Sequence, residues 1–402
     1  MIQKKILLLG GSAQQVVAIE AAKDLGYYTV LCDYLPDNPG QYVADKYYNV
    51  STTDVDSVYE VAKKEQVSGI LAYASDPAAL PAAIVCEKLG LPTNPAKSVE
   101  ILGLKYPWRH FLQTNGFACP KAASFHPTIS MNDFSELVAD FTFPIVIKPT
   151  DSSGSKGVSV LNNLNSVDEA IQWADSYSRN KILIVEEFIT RGFPHVIGGD
   201  IFVWNGRITL LGEMACLREN HGNGLIPIGK KKPSGLSDFQ RNQVLNELQR
   251  LISMLNIRFG EMNIEILVDP NNNVHFLEIG PRAGGNMIPL QLSDAWGVDL
   301  VKANVLAAMG EDPHLLLNEQ PGCFFTHVLH SNIDGIFEGI DYADEIAPFI
   351  YRKVIYKKDG DKVESFDGAG KALGILFLHV DSEKQMNDLC GRMESLIKIN
   401  LK

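Results

Sequence analysis

The sequence predicts an α/β and α+β multidomain protein. An N-terminal doubly wound parallel sheet is expected over residues 1–115, an α+β region over 116–310 and a small α+β domain over 311–402. Three observations carry this. The 402 residues are too many for one compact domain. Strand and helix signals alternate along the first third, the pattern of a parallel sheet with crossover helices. Beyond it, strands follow one another as hairpins, and "PHLLLNEQPG" (313–322) marks a boundary before the last segment.

Taken in order, "KILLLGG" (5–11) is a strand ending in a glycine turn, and "AQQVVAIEAAKDLG" (13–26) a helix stopped by Gly26. "YTVLCDY" (28–34) is the second strand, "DVDSVYEVAKKEQ" (54–66) a helix, "GILAYAS" (69–75) a strand and "PAALPAAIVCEKLG" (77–90) a helix. Ligands on such sheets bind beyond the carboxyl ends of the strands, where Gly10, Gly11, Ser12, Asp33 and Asp76 fall. A dinucleotide cofactor would call for GxGxxG after the first strand; "GGSAQQ" does not supply it.

The central region holds the strands "FPIVIKP", "GVSVL", "KILIVEEFI", "GDIFVWNGRITLLGEMA", "GEMNIEILVD" and "VHFLEIG". Two helices interrupt them. One starts at Ser166 with Glu169 as a capping-box partner; the other starts at Ser237 with Gln240 in the same role. Val244, Leu248, Leu251 and Leu255 line one face of the second. In the last segment "FFTHVLHS", "FIYRKVIYK" and "ALGILFLHV" are strand-like and "SEKQMNDLCGRMESLIKI" is a helix.

Composition narrows the function classes. The formal net charge of −12 argues against non-specific nucleic-acid binding. The six cysteines show no CxxC spacing and read as thiols of a reducing compartment. No apolar run reaches the ~18 residues of a membrane span, and the opening "MIQKKILLLGG" reads as a strand rather than a signal peptide. A cytoplasmic protein without membrane partners is expected. His327 and His330 sit on a strand and read as structural.

Two constellations carry chemistry. In "IKPTDSSGSKGV", Lys148 closes a strand, a Ser/Gly loop follows, and a strand resumes at Val158. Small residues let backbone N–H groups approach anionic oxygens, and Lys148 and Lys156 supply positive charge. A mobile hairpin tip with exposed lysines is the alternative, although the loop is longer than a simple hairpin needs. The second constellation is "GEMNIEILVDPNNNVHFLEIGPRAGGN". An even-length loop at "DPNNNV" sets Glu265 opposite Glu278; an odd-length loop does not. Two adjacent carboxylates suit Mg²⁺, which takes a few carboxylate oxygens and completes its shell with water and phosphates. Otherwise each pairs with a basic residue. Arg282 follows at once, suited to a phosphoryl group or a carboxylate, or to a salt bridge with a glutamate.

A lysine with a glycine-rich hairpin, followed by paired glutamates on a later hairpin, resembles the ATP-grasp superfamily of biotin carboxylase, phosphoribosylglycinamide synthetase and L-amino-acid ligases. The match runs from the first strand to roughly residue 310. "HSNIDGIFEGI … FDGAGKALGILFLHVDS" looks like the closing domain of the amino-acid-ligase branch. The resemblance implies a central ATP-grasp fold with a mobile lid at about 120–190. It implies Lys105 and Lys148 as nucleotide lysines and Ser153, Gly154, Lys156 and Gly157 in the lid loop. Glu186 would meet the adenine amino group, the backbone at Glu187 and Ile189 would read the adenine edge, Phe188 would pack nearby, and His195 would stand by the ribose. Glu265 and Glu278 would hold Mg²⁺ or Mn²⁺. The family pattern E-x-N-P-R departs here to Glu278-Ile279-Gly280-Pro281-Arg282, which favours one metal ion unless Asn286 compensates.

The reaction so implied is ATP-dependent carboxylate–amine ligation. Lys148 and Arg282 act on the γ-phosphate as an acyl phosphate forms; an amine then displaces phosphate. Within "CLRENHGNGLIPIGKKKPSGL" (216–236), Arg218 and His221 are candidates for holding substrate, with Asn286 beside them. Lys230, Lys231 and Lys232 read as a solvated patch or a binding element. A carboxylase, a purine-pathway ligase of the same architecture and a non-catalytic ATP-binding module are the other readings. The Arg-Arg-His-Gln-Lys run of biotin carboxylases is missing. The resemblance also implies a homodimer.

Overall fold

The computed structural model describes residues 3–152, 156–190, 192–193, 195–218 and 226–402. The chain forms two compact units. The larger comprises residues 1–99, 197–264 and 280–402; the smaller comprises 100–196 and 265–279.

In the larger unit the first four strands form a parallel sheet in the order Lys46–Asn49, Tyr28–Asp33, Lys5–Leu9, Gly69–Leu71. Side chains alternate along the central strand, as the two-residue period of a strand requires. Ile6 and Leu8 face Ala18, Ile19 and Ala22 of the helix Val16–Asp24. Leu7 and Leu9 face Val58 and Val61 of Val55–Glu65 and Val85 of Asp76–Leu89. The first face has a second cover from far along the chain: Val301, Val305 and Ala308 of the helix Leu300–Ala308. The sheet is therefore doubly wound, and its packing crosses the boundary expected near residue 115. The strand Lys46–Asn49, short and with Tyr47 and Tyr48 side by side at its centre, lacks an alternation that would mark it in sequence.

An antiparallel sheet in the same unit runs Ile197–Trp204, Arg207–Arg218, Pro227–Lys232, Cys323–Leu329, Gly374–Val380, Ile350–Ile355. The first half of Phe259–Val268 borders Ile197–Trp204. The helix Asp238–Met254 starts with the expected capping box of Ser237 and Gln240 and buries Val244, Leu248 and Leu251. The last segment has its own core, in which Phe325, Leu376 and Leu378 meet Met386, Leu389 and Met393 of the helix Glu383–Leu396.

The smaller unit is an antiparallel sheet in the order Ala122–Phe125, Leu183–Glu187, Ile145–Pro149, Ser159–Leu161. Phe134 of the helix Met131–Leu137 and Ile171 and Ala174 of Val167–Ser176 cover it. The capping box expected at Ser166 is not made. Residues 164–166 form a turn of tighter helix, and Asn163 caps that instead by accepting from the Asn165 N–H. All six cysteines are free thiols. No described helix is long and apolar enough to cross a membrane.

Candidate active site

The strand Ile145–Pro149 pairs with Leu183–Glu187 so that Lys148 lies opposite Ile184. That register puts Lys148 and Glu186 on the same face as diagonal neighbours, within reach of a long side chain. Lys148 Nζ donates to Glu186 Oε2 at 2.6 Å. From the helix Lys105–Thr114, Arg109 Nε donates to Glu186 Oε1 at 2.8 Å, and its Nη1 donates to the Phe276 carbonyl at 2.8 Å. Arg109 is 2% exposed and Glu186 5%. Sequence reading missed Arg109, whose neighbours Trp108 and Leu112 make that helix face apolar.

One buried carboxylate thus holds two cations. Burial alone would raise the Glu186 carboxyl, but Arg109 and then Lys148 outweigh it and hold it down at about 2. Lys148 is pushed the other way: burial lowers its ammonium, Glu186 opposes, and Arg109 adds repulsion. The cluster carries a net positive charge at the root of the Ser/Gly loop, which is what an incoming polyphosphate requires. Lys105 strengthens it, because its Nζ donates to the Ser152 carbonyl in that loop.

The ladder between Ile145–Pro149 and Ser159–Leu161 ends at Ile147 opposite Ser159, so the loop begins at Lys148 as expected. Ser153 and Gly154 lie outside the described residues. Lys156 is exposed, and its carbonyl accepts from Ser152 Oγ at 3.3 Å. Gly157 has φ +73°, and a Cβ there would stand 3.0 Å from Pro149 Cδ and 3.2 Å from Ala174 Cα. Gly157→Ala is expected to destabilise the smaller unit by about 1–2 kcal/mol. It should also raise KM for ATP, because the loop is re-aimed; thermal unfolding and ATP titration check both effects.

Glu186 was expected to meet an adenine amino group; here both its oxygens hold cations. The N–H of Glu187 donates to the Lys121 carbonyl at 3.0 Å, and that of Phe188 to the Pro144 carbonyl at 2.9 Å. Phe188 is 45% exposed. The His195 ring lies edge-on to Phe193, centroids 6.1 Å apart. Gly192 and Phe193 donate to the Val268 carbonyl at 2.9 and 3.3 Å, tying this segment to the glutamate hairpin.

That hairpin, Phe259–Val268 with Val274–Gly280, closes through a three-residue loop. The Asp269 N–H donates to the Asn273 carbonyl at 3.1 Å, and the Asn272 N–H to the Asp269 carbonyl at 3.0 Å. Asn272 takes φ +64°. The Asp269 carboxylate selects this odd loop by accepting from the N–H groups of Asn271 and Asn273, both at 2.8 Å. The expected even loop is thus corrected. Continued unbroken, this register puts Leu277 opposite Glu265. The burial alternation of Val274–Gly280 breaks at that point, with Leu277 and Glu278 both half-buried, where a bulge would return the two glutamates to one face.

In the larger unit, Arg282 Nη2 donates to Asp76 Oδ2 at 2.6 Å and its Nη1 to the Ala283 carbonyl at 3.0 Å. Asp76 begins a helix at the carboxyl end of the parallel sheet. Asn286 has φ +53°; its N–H donates to Gln14 Oε1 at 2.7 Å, and its own side-chain oxygen is buried without a hydrogen-bond partner among the described residues. Arg218 ends the strand Arg207–Arg218, paired with Pro227 after a bulge. His221 lies outside the described residues. The three lysines are not one solvated patch. Lys230 and Lys232 are buried, with Lys230 Nζ donating to Cys216 Sγ at 3.0 Å and Lys232 Nζ to Glu319 at 2.7 Å, while Lys231 reaches Asn387. His327 is buried and, by desolvation and then by His330, pushed down to about 3, which makes it neutral and structural.

Residues 109–315 match the family model described as carbamoyl-phosphate synthase L chain, ATP binding domain. The chain belongs to the ATP-grasp family. This ATP-grasp chain is 25% identical over 362 residues to a formate-dependent phosphoribosylglycinamide formyltransferase of Pelobacter propionicus, covering 85% of each chain. It spans between 57% and 85% of the length of such curated relatives. Among solved structures, an L-amino acid ligase from Bacillus licheniformis has a TM-score of 0.83 at 18% identity, covering 100% of this chain and 99% of that one. A phosphoribosylglycinamide synthetase from Anaerococcus prevotii has a TM-score of 0.80 at 18% identity, with full coverage of both. Those likenesses establish the fold.

Proposed function

We propose that this ATP-grasp protein is an ATP-dependent carboxylate–amine ligase. It transfers the γ-phosphate of ATP to a carboxylate, and an amine then attacks the acyl phosphate to form an amide and release phosphate. The observation that carries the reading is the buried Arg109–Glu186–Lys148 cluster under the loop that starts at Lys148. Glu186 fixes the Lys148 ammonium beside the phosphates. Lys105 gives up the Ser152 carbonyl for a phosphate oxygen, a stronger acceptor because it is charged. The Ile189 amide reads the adenine edge, Phe188 packs on the ring and His195 stands by the ribose. Arg282 offsets charge on the transferring group, with Asp76 holding its guanidinium until substrate arrives. Arg218 and Asn286 face the substrate. Exclusion of water protects the acyl phosphate.

Glu265 and Glu278 fit a divalent cation that arrives with the nucleotide. Among the described residues, no group of three or more His, Cys, Asp or Glu could hold a metal. An ion bound through two carboxylates would complete its shell from phosphate oxygens and water, which suits Mg²⁺ or Mn²⁺. Once bound, it would supply charge neutralisation across the β- and γ-phosphates.

Incubation with ATP, Mg²⁺ and pooled amino acids, formate and bicarbonate tests the reading. Phosphate release that depends on a carboxylate and an amine together supports it. Release with bicarbonate or formate alone would favour the carboxylase or purine-pathway reading, and ATP binding without turnover in any pool a non-catalytic module. A homodimer, carried by the resemblance, is checked by light scattering.

A further inference from the structure

The larger unit buries two carboxyl groups that the proposed chemistry does not use. Asp200, on Ile197–Trp204, is fully buried. Its Oδ1 accepts from Asn263 Nδ2 at 2.8 Å and its Oδ2 from the Gly284 N–H at 2.7 Å. Glu261, on Phe259–Val268, is 3% exposed, with its side chain against the Asp200 carboxylate. Glu261 Oε2 accepts from Asn304 Nδ2, and its backbone N–H donates to Asn304 Oδ1 at 3.1 Å.

Two carboxyl groups in contact and out of water do not both ionise. Burial, then Asp200, holds the Glu261 carboxyl well above the usual carboxylate range, so the proton of the pair resides on Glu261. Glu261 Oε1 is buried without a hydrogen-bond partner among the described residues. The other groups facing the pair are Tyr73, from the end of the parallel sheet, and Asn304, from Leu300–Ala308. Arg282 lines the same cavity of about 90 Å³ as Glu261 and Asn304.

Asp200 grips one loop. Asp200 takes the Gly284 N–H directly and holds Asn263, whose own N–H donates to the Arg282 carbonyl at 2.9 Å. Gly284 admits the carboxylate by lacking a side chain: a Cβ would stand 2.6 Å from Asp200 Oδ1 and 2.9 Å from Asn263 Nδ2. Residues 282–284 are thereby pinned at both ends, and Arg282 is aimed from a backbone that cannot swing.

We propose that Asp200 and Glu261 are positioning residues, a buried acid pair that fixes the Arg282–Gly284 loop and so the aim of Arg282. The role of Arg282 rests on the proposed ligase reading; the proton on Glu261 does not. The test therefore has two readouts on the full chain, thermal unfolding from pH 5 to 9 and the kinetics of phosphate release.

The folded wild type keeps a proton that the unfolded chain releases above the ordinary carboxyl range, so its stability falls as pH rises until Glu261 itself ionises. Glu261→Gln supplies a neutral donor without that proton. Its Tm should gain on the wild type steadily with rising pH. Asp200→Asn sets an amide against a donor and should lower kcat about 100-fold with KM for ATP within about threefold, the mark of a misplaced group rather than a lost ligand. Gly284→Ala serves as the second variant if Asp200→Asn does not fold, with the same kinetic expectation. Parallel Tm curves for wild type and Glu261→Gln would overturn the shared proton. Unchanged kcat in the Asp200 or Gly284 variant, or an equal rise in KM, would overturn the positioning role. A wild type that releases no phosphate in any pool sinks the ligase reading and the aiming of Arg282 with it, while the unfolding curves still decide the proton.

Discussion

Glu278→Gln should bind ATP analogues and fold normally, yet lose phosphate release by about 10²–10³-fold, the 2.7–4 kcal/mol that removal of one transition-state stabilising group costs. The amide keeps the volume and removes the charge. Glu278 is half-buried, so the change exposes no cavity. With Glu265 as the only carboxylate left, a hard divalent cation loses half of its charged protein donors. Steady-state phosphate release at saturating Mg²⁺ measures the effect. A loss below tenfold would remove Glu278 from the metal site and favour the unbroken strand register in which Leu277, not Glu278, stands across from Glu265.

Stability should suffer most at Glu186. Glu186→Gln leaves the buried Arg109 and the partly buried Lys148 facing a neutral amide, at about 3–5 kcal/mol for an uncompensated charge. Arg109→Met should cost less, about 1–3 kcal/mol. It orphans Glu186 Oε1 and the Phe276 carbonyl but leaves a neutral Lys148–Glu186 pair. The order of the two losses identifies Glu186 as the hub. Acid should erase the difference at Glu186: its folded carboxyl lies near 2, below the ordinary value, so its stabilisation is complete above the unfolded value near 4.5 and is lost as pH falls toward 2. Denaturant unfolding at pH 7 and pH 3 checks both order and sign.

Much of this was legible in sequence because it rests on local rules. The parallel sheet follows from alternating strand and helix signals, the helix at Ser237 from its capping box, and the loop from Lys148 meeting a Ser/Gly run longer than a hairpin needs. What escaped is long-range. Arg109 meets Glu186 across 77 residues, and an arginine on an apolar helix face does not announce its partner. The helix Leu300–Ala308 covers a sheet built from the first residues of the chain, which no local pattern records. "DPNNNV" permits both even and odd loops; the Asp269 carboxylate, gathering two N–H groups, decides. Glu261 sits in an ordinary-looking strand, and only the fold brings Asp200 against it.

In the proposed reaction a carboxylate oxygen attacks the γ-phosphate. The direct measurement is turnover with ATP and ¹⁸O-labelled carboxylates drawn from whichever pool supports phosphate release, followed by mass analysis of the phosphate. An acyl phosphate intermediate transfers one ¹⁸O from carboxylate to phosphate in each turnover. Phosphate that carries oxygen from solvent alone, or AMP and pyrophosphate as products, would contradict the account.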